Sequence, residues 1–549
     1  FDRTMSTSSS DDERPERTTG PVPRQFIKIN TKGDSFELVE EELQNVLDAV
    51  PEGMPISVVC VVGAFRTGKS FALDLFLRYL RHTDDPAKNV RTEDPPPDKA
   101  HEEWLMKDGG TLEGIAEHNK DNGECQQTLK HSGFSWRPGN IRNTTGMWIW
   151  SQPFIRHNPK AGAPGEPDEV AVLLVDTQGM FDMETTQMLT AAIFGLSTLV
   201  SSYLVYNVEK RIQEDNLQHL ALFTEYGRVA LQSFQDATSA GPPQPFQTLQ
   251  FLVRDFQDFD DEDDVEKSVA EQEPYLSQVL DKEAAHKDLK EVRTHIGMCF
   301  ENASVFMLPH PGSEVPKKRY SGDLSLVNSS FLALFHRLAV SIFGTNSPKP
   351  TPKEAQNELG AVVKKRMQNR YLMASELLSY VKNYVNVFHE AVQGEGVFPE
   401  AKTLLAATAE ANNYNALEQG TKAYRAAMDK ICGSKEAYVA PSKITEEHKR
   451  HLAACLKHYD RIASLGPKEK ILEFRDKLEG NLKDMYDEYI ENNKHKAPDM
   501  LRLLSILIMI CSATYFLSSI INMFCWPPAT IHFDFEYADV CTSTLHGMK

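Results

Sequence analysis

The chain has 549 residues, enough for about three or four domains of ordinary size. With 78 Asp and Glu against 59 Lys and Arg, its net charge is -19 and its isoelectric point about 5.4, which excludes a protein that grips nucleic acid through a basic face. The eight cysteines, at 60, 125, 299, 432, 455, 511, 525 and 541, include no CxxC pair and no zinc-type spacing to histidine, so they read as free thiols of a cytosolic body.

Residues 1–25 are polar and charged with no apolar stretch, which predicts a disordered tail and no signal peptide. The chain starts at Phe1, so the natural start is expected at Met5 or upstream. A hydrophobic strand, ISVVCVVG, then runs into Gly63, Gly68, Lys69 and Ser70 and on into the apolar helix FALDLFLRYL. That is a phosphate-binding loop: glycines let backbone N–H groups turn around phosphate oxygens, Lys69 supplies a charge, and the Ser70 hydroxyl can ligate Mg2+. The polar stretch Thr83 to Gly139, with three prolines at 95–97, is expected outside the core as a loop, as is the acidic run Asp258 to Asp264.

Four further β-rich runs follow, at 170–176, 201–208, 249–255 and 304–309, separated by stretches long enough for helices. Together they predict an α/β domain over 26–344 with a mostly parallel sheet. GTNSPKPTP marks a linker at 345–352, and the helical composition of 353–497 predicts a bundle of three or four helices. In its last helix Ile471, Leu472, Phe474, Leu478, Leu482, Met485, Tyr486 and Tyr489 recur mostly at threes and fours, as one apolar stripe. From Leu503 to Phe533 no Asp, Glu, Lys or Arg occurs. As a helix 503–526 would be about 36 Å long, enough for a bilayer core of about 30 Å. Trp526 suits the interface, and Lys494, Lys496 and Arg502 before the span place everything upstream on the cytosolic side, leaving 527–549 as a tail.

A phosphate loop does not choose between adenine and guanine, so three further parts are needed. At the end of VAVLLVD, Asp176 can hold Mg2+ through water, and Gln178 and Gly179 follow where a backbone N–H can face the γ-phosphate. RNTTGMWIW offers Thr144 and Thr145 as a switch that completes the Mg2+ shell, and spacing does not decide between them. Asp255, at another strand end, can accept from guanine N1–H and the exocyclic amine, with Arg254 flanking the base. Met180 stands where small GTPases carry a water-orienting Gln, so the stabilisation must come from elsewhere, and Arg66 inside the phosphate loop is the residue to examine.

GAFRTGKSF, FSWRPGNIRNTTG, VAVLLVDTQGMFD, EDNLQHLALFTEYGR, LQFLVRDF, MLPHPG and LLAATAEANN, in this order across about residues 26 to 526, resemble the atlastins, dynamin-superfamily GTPases that fuse endoplasmic reticulum membranes. The resemblance implies a Mg2+-dependent GTPase domain, a three-helix middle domain, a lipid-bilayer anchor and GTP-driven homodimerisation across facing membranes of the endoplasmic reticulum. It assigns Thr144 as the Mg2+ ligand with Ser70 and Asp176, and Asp255 as guanine reader. Arg66, Lys69 and Thr144 become the catalytic set, with Arg66 a finger acting in cis. Thr67, Gly68, Phe71, Gln178, Gly179 and Arg254 complete the GTP and GDP contacts. Atlastins carry two hydrophobic segments and then an amphipathic helix, whereas this chain has one clear span followed by Pro527 and Pro528. Two other readings of the same residues are a soluble, guanylate-binding-protein-like GTPase and a GTP-regulated tether without fusion activity.

Overall fold

The computed structural model describes residues 20–83, 104–105, 110–114, 133–137, 144–158, 167–180, 186–220, 246–280, 293–344, 362–393, 401–497 and 500–524, apart from one or two positions inside some of these spans. The expected linker at 345–352, the tail after the expected membrane segment and most of the N-terminal tail lie outside them.

The first elements in order are β1 (Pro23–Ile29), β2 (Phe36–Leu38), α1 (Glu40–Asp48), β3 (Ile56–Gly63), α2 (Lys69–Thr83), β4 (Met147–Trp150), β5 (Phe154–His157), β6 (Glu169–Thr177), α3 (Gln187–Val200), β7 (Tyr203–Glu209), β8 (Phe246–Arg254), α4 (Val265–Ala270), α5 (Gln272–Val279), β9 (Phe300–Met307) and α6 (Ser329–Phe343). Strands β6, β3, β7, β8 and β9 lie side by side in parallel. The expected parallel sheet is thus its centre, while β4, β1 and β2 extend it antiparallel beyond β6, and β5 also pairs antiparallel with β6.

The continuous apolar runs of these strands have a simple cause: both sheet faces are covered. In β3, Ile56, Val58, Cys60 and Val62 point into one core while Val59 and Val61 point into the other. In β6, Ala171, Leu173 and Val175 alternate in the same way with Val170, Val172 and Leu174. The first face is roofed by α1 and α3 and the second by α2 and α6.

One expectation is corrected and another is refined. The polar stretch 83–139 is not wholly outside the core: Trp104, Leu105, Leu112, Phe134 and Trp136 are buried in the core that α2 and α6 cover. Few apolar residues among many polar ones give no periodicity to read, yet each large ring buries as much as a short strand face. The acidic run 258–264 is exposed as expected but is built in: Asp264 caps α4 by accepting from Lys267 N, and Asp263 accepts from the Ser330 hydroxyl at 2.5 Å.

The helical region also divides differently from the composition. After a small hairpin, β10 (Arg366–Met367) and β11 (Arg370–Tyr371), come α7 (Ala374–Gln393), α8 (Ala401–Cys432), α9 (Pro441–Ile462), α10 (Lys468–His495) and α11 (Met500–Phe524). The chain forms two compact units, Phe1–Glu418 with Asp460–Phe474, and Gln419–Tyr459 with Arg475–Lys549. Helix α7 belongs to the first: Leu377, Tyr380, Val381, Tyr384 and Phe388 enter the same core as α1 and α3.

In the second unit Leu478 and Leu482 of α10 are buried and Gly420 of α8 lets the Leu478 methyls come close, a Cβ there being 3.1 Å away. Leu472, read as part of the apolar stripe, is 56% exposed. Helix α11 occupies the segment expected to span a membrane. Its described side chains, residues 504–520, are all exposed, and among the described residues no helix is long and apolar enough to cross a membrane.

Candidate nucleotide site

Every parallel strand except β9 delivers a candidate side chain or backbone group directly at its carboxyl end, where α/β sheets bind ligands. They surround a cavity of 420 Å³ lined by Arg66, Gly68, Lys69, Ser70, Phe71, Thr144, Gly179, Arg254 and Asp255. Strand β9 adds its following loop, through His310, Pro311, Val315 and Pro316.

The loop after β3 needs its glycine. Gly63 has φ +151, and a Cβ there would lie 2.3 Å from the Asn207 carbonyl oxygen. Asn207 in turn donates to the Thr67 carbonyl at 2.8 Å, and Thr67 donates to Ala64 O at 2.8 Å, so the loop is tied to β7 from below. Lys69 reaches back across it to Ala64 O at 3.1 Å. Ala72 is the first residue of the helix to bond back, to Gly68 O at 3.0 Å. The N–H groups of Lys69, Ser70 and Phe71 before it are therefore the helix-end donors that suit an anion. Thr67 itself is buried and does not line the cavity.

Three residues predicted as metal ligands meet. Ser70 donates to Asp176 Oδ2 at 2.6 Å, Thr144 donates to the same oxygen at 3.3 Å, and the two hydroxyls are 3.1 Å apart. Burial pushes the Asp176 carboxyl up to about 6 against the opposing pull of Ser70, Lys69 and Thr144. Its Oδ1 is buried with no hydrogen-bond partner. An orphaned carboxylate oxygen beside two hydroxyls is an all-oxygen donor set, which fits a hard cation such as Mg2+ held by one carboxylate and the ligand's phosphates. Among the described residues no cluster of three His, Cys, Asp or Glu could hold a metal by itself.

The structure separates the two threonines that spacing left open. Thr144 faces Ser70 and Asp176, whereas Thr145 accepts from Gln25 Nε2 and offers its carbonyl to Gln25 and Trp148. Gln178 is placed elsewhere than a ligand contact requires: it is buried, absent from the cavity lining, and its Oε1 accepts from Gly146 N at 3.1 Å while its own N–H donates to Gly146 O at 2.8 Å. It braces the threonine segment. Gly179 lines the cavity with Phe65 Cα only 2.4 Å from where a Cβ would stand. Met180 is buried in the core, its N–H on Gly63 O and its carbonyl accepting from Phe65 N. It seals rather than reaches the site.

At the other end Arg254 and Asp255 form an ion pair at 3.3 Å. Burial holds the Arg254 guanidinium below its ordinary range, offset by Asp255 and Glu209. Asp255 Oδ1 is buried with no hydrogen-bond partner, which leaves a costly unsatisfied acceptor at this end of the cavity. Asp255 has φ 54 and Arg66 φ 65; with Lys210, whose N–H bonds Arg254 O, these are the non-glycine residues with positive φ among the described residues. All three sit at the cavity or beside it, where strain clusters at functional sites. Arg66 is exposed, and burial and then Arg137 lower its hold on the proton.

Sequence reasoning missed Trp136, Arg137, Glu209 and His310, which also line the cavity. Arg137 lies within FSWRPG and His310 within MLPHPG, but neither segment has a spacing that announces a site.

Comparison with known proteins agrees with this geometry. The family described as guanylate-binding protein, N-terminal domain, matches residues 33–350. Atlastin-3 of Mus musculus is 33% identical over 481 residues, covering 87% of this chain and 76% of that protein. Atlastin-2 of Homo sapiens is 33% identical over 479 residues, 87% of this chain and 70% of its own. Atlastin-3 of Homo sapiens is 32% identical over 492 residues, with 89% and 78% covered. With the phosphate loop, its threonine segment and the Arg254–Asp255 pair gathered around one cavity, these matches mean that the chain belongs to the atlastins, GTP-hydrolysing enzymes of the guanylate-binding-protein family.

Proposed function

We propose that this GTPase binds GTP with Mg2+, pairs with a second copy when the nucleotide is bound, and uses hydrolysis to tether and fuse endoplasmic reticulum membranes in which residues 503–526 anchor it. The observation that carries the nucleotide part is the convergence of Ser70, Thr144 and Asp176 within 2.6–3.3 Å at the phosphate end of a cavity whose far end holds a buried, unpartnered Asp255 oxygen.

Ser70, Thr144 and Asp176 would hold the Mg2+, which when bound neutralises charge on the β- and γ-phosphates. Lys69 and the first-turn N–H groups of α2 grip the phosphates. Asp255 accepts from guanine and rejects adenine, whose corresponding edge offers no such donor pair. With Met180 buried, Arg66, exposed and lining the cavity, is the cation that would move toward transition-state charge when a second head covers it.

The membrane part rests on the exposure of the apolar helix at 504–520 and on the atlastin relatives. The full chain, reconstituted in liposomes, is expected to mix lipids with GTP and Mg2+ and only to tether with a non-hydrolysable analogue. Calorimetry of the same protein should show GTP binding that needs Lys69 and no competition by ATP. Liposome attachment without lipid mixing even when GTP is hydrolysed would leave a tether, lipid mixing sustained with the analogue would uncouple fusion from hydrolysis, and no attachment at all would leave a soluble GTPase.

A further inference from the structure

A buried carboxylate stands one turn beyond Ser70 on the phosphate-loop helix, outside the groups that touch the nucleotide. Asp74 is 3% exposed. Its Oδ2 accepts from the Gly114 backbone N–H at 3.0 Å and from Trp136 Nε1 at 3.2 Å. The two partners are joined to each other, since Trp136 N–H donates to Gly114 O at 2.8 Å. Gly133 closes the same knot: a Cβ there would come within 2.2 Å of Asp74 Oδ1. The Trp136 ring stands edge-on to Phe71, with centroids 5.0 Å apart, directly on the phosphate-loop helix. Trp136 and Arg137 both line the nucleotide cavity, and Arg137 is the charge that acts most on Arg66.

Burying a carboxylate is costly unless its oxygens are well bonded, and an ionised acceptor bonds about twice as strongly as a neutral one. Placed on α2, such a group fixes the wall of the cavity to the same helix that receives the phosphates. Two guanidiniums that repel each other across a cavity need their backbones held, and a polyphosphate between them offsets the repulsion.

We propose that Asp74 is a positioning residue for GTP hydrolysis: by tying Gly114 and Trp136 to the phosphate-loop helix it holds Arg137 on the cavity wall beside Arg66, where both cations face the same triphosphate. This rests on the cavity being the nucleotide site. The test is steady-state turnover of the full chain with GTP titrated. Asp74→Ala and Trp136→Phe, which keeps a ring on Phe71 and removes one N–H, are each expected to lower kcat by about 10- to 100-fold. KM for GTP should stay within about threefold, the signature of an interaction needed only in the transition state. Asp74→Asn, which retains an acceptor oxygen, should recover kcat to within about threefold of the unsubstituted chain. In an Arg137→Ala background, itself slow, neither substitution should lower kcat by more than about twofold further, because they act through that arginine.

Unchanged kcat in both Asp74→Ala and Trp136→Phe, or losses that multiply with that of Arg137→Ala, would overturn the proposal. If Asp74→Ala does not fold, Trp136→Phe carries the same expectations and the same refutation. Titration with a fluorescent GTP analogue reports separately on the cavity: were Lys69→Ala to bind it as tightly as the unsubstituted chain, the cavity reading would fail and this proposal with it. Normal binding together with normal turnover in the Asp74 and Trp136 variants would fault Asp74 alone.

Discussion

Arg66 and Asp255 carry the same backbone cost for different ends. A non-glycine residue in the left-handed region is disfavoured by about 1–2 kcal/mol, and both adopt it, at φ 65 and φ 54. For Arg66 the conformation leaves an exposed guanidinium at the mouth of the cavity rather than packed beneath the loop. Arg66→Ala is therefore expected to lower GTP turnover by about 10³-fold or more in a phosphate-release assay, with GTP affinity changed only a few-fold. Normal turnover in that variant would remove the finger from the mechanism. Asp255 allows a sharper substitution, because asparagine tolerates the left-handed region as well as aspartate does. Asp255→Asn should keep the loop and lose the charged double acceptor, weakening GTP binding by about 10- to 100-fold in calorimetry without creating affinity for ATP. Equal GTP affinity in the Asn variant would mean that another group reads the base.

Two buried cations show how elements are closed by residues far away in sequence. Arg156 of β5 donates to Leu80 O at 3.3 Å and to Thr83 Oγ1 at 2.6 Å, and so caps the carboxyl end of α2. Lys365, just before β10, donates to Leu199 O at 2.7 Å and Ser201 O at 2.8 Å at the end of α3. Both supply positive charge where a helix dipole is negative. Burial brings Lys365 down to about 7 from its ordinary 10.5, only partly opposed by Glu301. Unfolded, the lysine keeps its proton to about 10.5; folded, it releases it near 7. Between those values the unfolded state binds more protons, so stability rises with pH. Relative to Lys365→Met, the unsubstituted chain should gain about 1–2 kcal/mol between about pH 7 and about pH 9, seen as a widening gap in thermal midpoints. A gap that stays constant or narrows would refute the depressed lysine. Neither cap is legible in the sequence, since a lone Arg or Lys carries no sign of a partner 76 or 166 positions away. The central strands are legible because burial on both faces makes them continuous apolar runs. Strands β1, β2, β4 and β5 mix buried with part-exposed or exposed residues and so are not continuous buried runs, and they passed unnoticed. Helix α7 shows the complementary limit: its apolar stripe tells that it is buried but not against which core.

Across the whole molecule the order of parts was readable, from phosphate loop to the last apolar helix, because each part differs in composition. What composition does not fix is how the parts are partnered. The nucleotide cavity is built wholly from the first compact unit, and α11 belongs to the second. Residues 504–520 of α11 carry no charge, and Leu507, Met509, Ile510, Phe516 and Leu517 are more than half exposed, so among the described residues nothing covers them. An apolar surface of this kind needs another apolar phase or partner. If lipid is that phase, a charge at the helix centre costs about 2.5–3.5 kcal/mol for each lysine introduced. The double substitution Leu507→Lys with Ile510→Lys is then expected to release the full chain from membranes under alkaline extraction while GTP turnover in detergent stays as before. Retention of the doubly charged helix in the membrane fraction would show that α11 is held there by something other than insertion. Loss of turnover together with release would mean that the two units are not independent in catalysis, and the head would then have to sense its anchor directly.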